Sequence, residues 1–192
     1  MIPPALAACA PNVSPVTLER VIARESGGQP YAVNVNGLPA RLQPHPASAS
    51  EAVSVARVFI ARGFRVDLGL MQITDRNLPG LGYSLEQIFD PCTNIQAGGA
   101  ILTAGYITAS RQLGEGQPAL KVALSIYNTG TTWRGFANGY VAGYYRTIPV
   151  PALTLPILQA ASVPARGAAP MLDPYTADTA IFTREALNVS VE

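Results

Sequence analysis

A short amphipathic helix with an acid on its apolar side is the feature that most constrains this chain. Apolar side chains stand at Leu18, Val21 and Ile22. The next position at the same helical spacing is Glu25, just before Gly27 ends the helix. A carboxyl among apolar neighbours is disfavoured in its charged form, so its pKa should rise towards the value that a general acid needs near neutral pH. The alternative is a glutamate that extends into solvent at the helix end.

Composition and charge exclude two classes of function. With 48% apolar and 13% charged residues in 192, the chain is globular and long enough for one core with some surplus. Its formal net charge is +1 and its basic residues form no run, so a nucleic-acid partner is not expected. No apolar stretch approaches the roughly 20 residues that span a bilayer, so no transmembrane segment is expected.

The chain divides into three parts. Residues 1–8 are small and apolar but too short for a signal sequence, and we interpret them as the remnant of a trimmed export leader. Residues 9–147 form the predicted domain. Residues 148–192 are a tail rich in proline and alanine, in which no helical period persists. The tail is apolar enough to dock onto a partner, and disorder is the competing interpretation.

The cysteines and the single histidine leave few chemical options. Cys9 and Cys92 can form one disulfide in an oxidising compartment, whereas in the cytosol they would be two unrelated thiols. A lipidated Cys9 is a third possibility. His45 has no second ligand near it, so no metal site is expected and the imidazole is interpreted as solvated. It also makes no convincing catalytic triad with Ser26, because no nucleophile-elbow motif is present.

Helical patterns dominate the rest of the predicted domain. Asn36-Gly37 lies between short apolar runs and predicts a small hairpin within residues 31–42. Residues 67–74 are predicted to be a strand that enters a turn. The predicted fold class is therefore α+β, mainly α, with a small β-hairpin. The further predicted helices cover about residues 50–62, 84–89, 91–110, 118–127 and 138–146.

Three sequence blocks resemble those of the lysozyme-like lytic transglycosylases. Residues 25–28 read ESGG, residues 69–73 read GLMQI and residues 123–130 read ALSIYNTG, in the order found in that family. Their order, together with the acid on a helix face, makes the resemblance specific. It covers about residues 9–147 and implies a lysozyme-like fold.

Further matches resemble the branch of that family that accompanies type IV secretion and conjugation machines. They are CAP at 9–11, NVNG at 34–37, DL at 67–68 and FDPCTN at 89–94. This resemblance implies a periplasmic enzyme without a cofactor, acting on peptidoglycan glycan strands. It also suggests that the tail contacts subunits of the secretion machine.

The resemblance assigns roles to individual residues. Glu25 would protonate the oxygen between N-acetylmuramic acid and N-acetylglucosamine, and would then take a proton from the sugar's 6-hydroxyl as a 1,6-anhydro ring closes. The substrate's own 2-acetamido group would stabilise the cation-like centre, so that no second carboxylate is required. Ser26 is expected to brace the helix end beside the substrate. The full set of expected substrate-binding residues is Ser26, Gln72, Tyr127, Asn128 and Tyr140.

Two other functions stay open. Goose-type lysozymes share the three blocks but hydrolyse, using an additional acid to activate water. Here the GLMQI block is followed by Thr74, and the acids nearby are Asp67 and Asp75. Asp75 fits a turn, whereas Asp67 could reach the cleft and restore hydrolysis. The third possibility is a non-catalytic subunit that binds glycan, against which a desolvated Glu25 argues because it would reduce stability.

Overall fold

The computed structural model describes residues 2–146, which form a mostly helical domain around one core. The tail assigned to residues 148–192 lies outside the described residues. Three short 3-10 turns connect the elements, at Ala40–Leu42, Asp75–Asn77 and Gln87–Phe89. The helices are α1 Pro4–Ala7, α2 Pro15–Ser26, α3 Ala49–Ala61, α4 Leu78–Leu81, α5 Pro91–Leu113, α6 Gln117–Thr129, α7 Arg134–Ala137 and α8 Tyr140–Arg146.

A small antiparallel sheet stands beside the helices, in the order β1 Val33–Val35, β2 Val66–Leu68 and β3 Ile73–Thr74. Strands β2 and β3 form a hairpin. The run at 67–74, predicted to be a strand that enters a turn, contains the end of β2, the connecting loop and β3. The hairpin predicted at Asn36-Gly37 is wrong, since β1 pairs with β2 far along the chain.

The side chain of Gln43 explains that difference, because it occupies the free edge of β1. Its Oε1 accepts from the Val35 N–H at 2.7 Å, and its Nε2 donates to the Val35 carbonyl at 2.9 Å. An amide side chain therefore satisfies the backbone groups that a local hairpin partner would have paired.

Helix α2 packs into the core as its sequence pattern predicts. Leu18, Val21 and Ile22 are completely buried, and the apolar stripe that they form ends one turn before Glu25. Burial of such side chains is the main stabilising term of the fold, at about 1.5–3 kcal/mol for each large one. The helix ends at Gly27, whose φ of 62° is left-handed. The acid is thus held on the last turn of a well-anchored helix.

The long central helix α5 approaches its neighbours closely through small residues. At Gly105, an added Cβ would lie 3.4 Å from the Ala123 Cα, so the α5 and α6 backbones come close together there. At Gly98, a Cβ would overlap the Met71 side chain. The absence of a side chain at these glycines therefore allows both α6 and the loop between β2 and β3 to pack closely against α5.

The first residues of the chain are packed against the domain. Ile2 is 4% exposed and belongs to the core, and Pro4–Ala7 form helix α1. In the structure Cys9 and Cys92 are joined by a disulfide with a Cα–Cα distance of 5.4 Å, which ties this segment to the start of α5. Residues that the sequence analysis assigned to a leader remnant thus contribute to the core, and the domain limits at 9 and 147 remain a prediction.

Candidate active site

Glu25 lies on the last turn of α2 and borders a cavity. Its pKa is raised from the usual 4.5 to about 7, chiefly because burial disfavours the charged carboxylate. A hydrogen bond from Tyr140 opposes this rise, the nearby charge of Asp67 adds to it, and Arg24 opposes it weakly. At neutral pH the carboxyl is therefore divided between its acid and its base forms.

Tyr140, at the start of α8, is the direct partner of the acid. Its hydroxyl donates a hydrogen bond to Oε1 of Glu25. The Arg24 guanidinium lies over the Tyr140 ring, 4.7 Å from its centre, which is cation–π geometry. Gly143 makes this possible, since a Cβ there would overlap the guanidinium. The second oxygen of Glu25, Oε2, has no hydrogen-bond partner within residues 2–146.

The loop Gly69–Gln72 between β2 and β3 passes beside Glu25 and is held by the buried side chain of Asn94. Oδ1 of Asn94 accepts from the Met71 N–H at 2.7 Å, and its Nδ2 donates to the Leu68 and Ile88 carbonyls at 2.9 Å each. Asn94 is 1% exposed. Sequence reasoning missed its role, although an amide among the apolar residues of a long helix was the available signal.

Ser26 and Tyr127 use their polar atoms to fasten the same loop. The Ser26 hydroxyl donates to the Leu70 carbonyl at 2.8 Å and accepts from the Gly28 N–H at 3.2 Å. The Tyr127 hydroxyl donates to the Met71 carbonyl at 2.6 Å. Both residues therefore fix where the loop lies relative to α2 and α6.

Gln72 has the most unusual backbone of the site. Its φ is 49°, the one positive value among non-glycine residues between 2 and 146. Such a conformation costs on the order of 1 kcal/mol and is often retained where it positions a functional group. Its Nε2 donates to the Gly69 carbonyl at 2.9 Å, while Oε1 has no partner in the described part of the chain. Because Gln72 lines the cavity beside Glu25, it can offer this oxygen as an acceptor.

The side chain of Asn128, an expected site residue, bonds to the turn before α8 rather than to Glu25. It is exposed at the end of α6, and its Oδ1 accepts from Asn138 at 2.9 Å. Asn138 in turn accepts from the Tyr140 N–H at 2.9 Å. Asn128 does not border the cavity at Glu25, and it helps to position the start of α8, which carries Tyr140.

Asp67 is the second carboxyl of the site. It stands at the centre of the sheet face that it shares with its cross-strand neighbours Asn34 and Thr74. Its Oδ2 accepts from Asn36 at 2.9 Å and from Asn34 at 3.3 Å. Burial raises its pKa, and the two amide donors partly offset that rise. The other nearby acid, Asp75, accepts from the Val66 N–H at 3.0 Å and begins a turn, as expected.

The cavity has a volume of about 240 Å³ and extends from Glu25 towards β1 and the loop after Ala40–Leu42. His45 borders it while remaining exposed to solvent, so the interpretation of a merely solvated histidine overlooked its position. The lining residues not yet placed are Gln29, Tyr31, Ala32, Val33, Pro44 and Pro46.

Metal-binding clusters and membrane-spanning helices are both absent from the described part of the chain. Within residues 2–146, no group of three or more His, Cys, Asp or Glu side chains is arranged to hold a metal ion. Over the same residues, no helix is both long and apolar enough to cross a bilayer.

Comparison with known proteins agrees with this geometry. Residues 4–144 match the family described as Transglycosylase SLT domain. The chain belongs to this family. The mainly helical, lysozyme-like fold class expected from the sequence is confirmed. No solved structure gives a significant match.

Curated relatives of this SLT domain are named virB1, and the names of the Brucella proteins refer to type IV secretion. The Type IV secretion system protein virB1 of Brucella suis is 40% identical over 129 residues, covering 67% of this chain and 53% of that protein. Protein virB1 of Agrobacterium fabrum is 36% identical over 133 residues, covering 69% of this chain and 53% of that protein. The chain therefore spans about half the length of the curated relatives it matches.

Proposed function

We propose that this chain is a peptidoglycan lytic transglycosylase that uses Glu25 as its single catalytic acid and base. The observation that carries the proposal is a mostly buried carboxyl with a pKa of about 7, open to a cavity on one side and bonded to Tyr140 on the other. A group with this pKa exists in both protonation states near neutral pH, as a residue that first gives and then takes a proton must.

In the first step, protonated Glu25 gives its proton to the glycosidic oxygen of N-acetylmuramic acid as the C1–O bond breaks. The acetamido oxygen of the same sugar stabilises the positive charge at C1. The Tyr140 hydroxyl then stabilises the carboxylate that forms, because a hydrogen bond to the charged form favours it. Gln72 lines the same cavity, and its Oε1 is proposed to accept from the acetamido N–H.

In the second step, the Glu25 carboxylate removes the proton from the 6-hydroxyl, and that oxygen bonds to C1. The products are a 1,6-anhydro sugar end and a free 4-hydroxyl on the departing strand. The proton that Glu25 gave is recovered, so the enzyme returns to its starting state without consuming water.

Hydrolysis is the second candidate, and Asp67 is the observation that favours it. Its charge influences the Glu25 pKa, so the two carboxyls are electrostatic neighbours. Its Oδ2 is already bonded to two amides, which suits a residue that shapes the field around Glu25 more than a base that activates water. Asp67→Asn should therefore keep cleavage under our proposal and abolish it if the chain is a hydrolase.

Mass spectrometry of the products from purified glycan strands tests the reaction directly. Transglycosylation gives 1,6-anhydro ends, whereas hydrolysis gives reducing ends heavier by one water. Glu25→Gln is the matched inactive control. If intact strands remain with the native protein, under conditions in which it is folded, the chain is a non-catalytic binding subunit and the proposal fails.

We also propose that the protein is exported to the periplasm and opens the wall for a secretion or conjugation machine. The name of the Brucella suis relative and the Cys9–Cys92 pair support this proposal. Under it, the predicted tail at 148–192 binds a machine subunit. Truncation after Ile148 should keep glycan cleavage and cooperative unfolding while weakening co-purification with the machine. A truncated protein that loses activity would show that the domain limit is wrong.

A further inference from the structure

Three polar side chains at the cavity make no hydrogen bond within the described residues. Gln29 is exposed just after the end of α2, Tyr31 is half-buried before β1, and His45 is exposed in the loop after Ala40–Leu42. In contrast, the polar atoms of Ser26 and the edge-binding amide of Gln43 already have protein partners. The lining of the cavity therefore includes donors and acceptors that have no partner within residues 2–146.

The loop that carries His45 is held rigidly. Besides its two bonds to Val35, Gln43 donates to the Leu38 carbonyl at 3.0 Å. Pro44 and Pro46 flank the histidine and restrict the backbone on both sides, because their rings fix φ. The backbone that carries His45 therefore loses little conformational freedom when the side chain binds a ligand, which reduces the entropic cost of recognition.

We propose that Gln29, Tyr31 and His45 form the binding wall for a 2-acetamido sugar of the glycan strand, the one adjoining the bond beside Glu25. This inference rests on the proposed function, because it identifies how the same cavity selects its substrate. An acetamido sugar offers an amide N–H, an amide carbonyl and hydroxyl groups. The primary amide of Gln29, the imidazole of His45 and the hydroxyl of Tyr31 match these groups in kind.

The position of these residues places the bound sugar relative to the acid. The cavity begins at Glu25 and runs towards β1 and residues 43–46, so a sugar in it lies to one side of the cleaved bond. The apolar part of its surface, contributed by Ala32, Val33 and the prolines, suits the less polar face of a sugar ring. Recognition by groups that must pair with an acetamido amide discriminates against sugars that lack it, because the wall would otherwise remain unpaired.

The test measures binding of two tetrasaccharides by calorimetry. The parent is the Glu25→Gln variant, which cannot turn over its ligand. The probes are chitotetraose, in which every sugar carries an acetamido group, and cellotetraose, which has a hydroxyl there. The proposal expects the parent to bind chitotetraose at least tenfold more tightly than cellotetraose.

Variants of the wall in that parent complete the test. Gln29→Ala and His45→Ala should each weaken chitotetraose binding by about fivefold to tenfold, the range of one neutral hydrogen bond. Tyr31→Phe should weaken it less, and His45→Gln should recover most of the loss because the amide can still hydrogen-bond. Gln112→Ala, exposed near the end of α5 and outside the cavity, is the matched control and should bind like the parent.

Equal affinity for the two probes, no chitotetraose binding by the parent, or wall variants that bind like the control would each overturn the inference. Melting curves of every variant exclude unfolding as the cause of lost binding. The result is separable from the proposed function, since binding is measured without turnover. Native protein that fails to cleave glycan but shows the expected pattern would refute the reaction and leave the sugar-binding wall in place.

Discussion

The buried acid makes the stability of this domain depend on pH in a direction that can be calculated. The pKa of Glu25 is about 7 in the folded protein and 4.5 when unperturbed. Between these values the native state binds the proton more tightly than the unfolded chain, so stability must fall as pH rises. The stabilising contribution is complete below pH 4.5 and is lost once pH passes about 7.

The size of this loss follows from the same two values. Each tenfold difference in proton affinity corresponds to 1.36 kcal/mol, so the change from pH 4.5 to pH 8 is about 3 kcal/mol as an upper estimate. Glu25→Gln removes the titrating group and retains an oxygen that can accept from Tyr140. Its free energy of unfolding should therefore equal that of the native protein near pH 4 and exceed it by up to about 3 kcal/mol at pH 8.

Urea unfolding of both proteins at several pH values measures this difference directly. Asp67 has a raised pKa of its own, but it is present in both proteins, so subtracting the two curves largely removes its contribution. Glu115→Gln, which changes an exposed carboxyl, controls for the loss of one charge. A difference curve that is flat with pH, or a Glu25→Gln variant less stable than the native protein at pH 8, would refute the buried-acid reasoning. Retention of more than a few per cent of glycan cleavage by that variant would remove Glu25 from its catalytic role.

Three further results are expected. Tyr140→Phe removes a bond that lowers the Glu25 pKa, so the alkaline limb of the pH profile of kcat/KM should move to higher pH; an unmoved limb would contradict this. Asn94→Ala leaves buried backbone groups unpaired, so it should lower the free energy of unfolding by about 3 kcal/mol in urea titrations. A loss of less than about 1 kcal/mol would contradict this role. Reduction of Cys9–Cys92, 83 residues apart, should lower the melting temperature and add two hydrogens to the intact mass. The chain-entropy model gives about 4–5 kcal/mol for that bond, and two free thiols in exported protein would exclude it.

The sequence was sufficient to locate the acid because helical periodicity is a local property. The spacing of Leu18, Val21 and Ile22 determines which face of α2 is buried, and Gly27 determines where the helix ends. With those two facts the position of Glu25 at the edge of the core follows. The sequence predicts that the pKa of Glu25 is raised. It does not predict the hydrogen bond from Tyr140 that opposes this rise, because the two residues are 115 positions apart.

The remainder of the site depends on pairings that no local pattern encodes. Asn36-Gly37 has the residues of a tight hairpin, yet β1 pairs with β2 because Gln43 fills its other edge. The position of His45 at the cavity depends on the same hydrogen bond between Gln43 and Val35, because that bond sets the path of the loop. The sequence showed Asn94 only as part of a family motif. Its role could not be predicted, because its three hydrogen-bond partners come from two separate segments of the chain. Side chains that pair with distant backbone therefore limit what the sequence alone reveals.

The bracing contacts explain how the domain can retain an acid in an unfavourable environment. The loop at Gly69–Gln72 is held from three directions, by Ser26 on α2, by Asn94 on α5 and by Tyr127 on α6. If the loop could shift, water would reach Glu25 and its pKa would return towards 4.5. The hydrogen bonds to the backbone of Gly69–Gln72 thus help to keep water away from the Glu25 carboxyl. In this chain Ser26, Asn94 and Tyr127 therefore act on the acid indirectly, by holding the loop beside it.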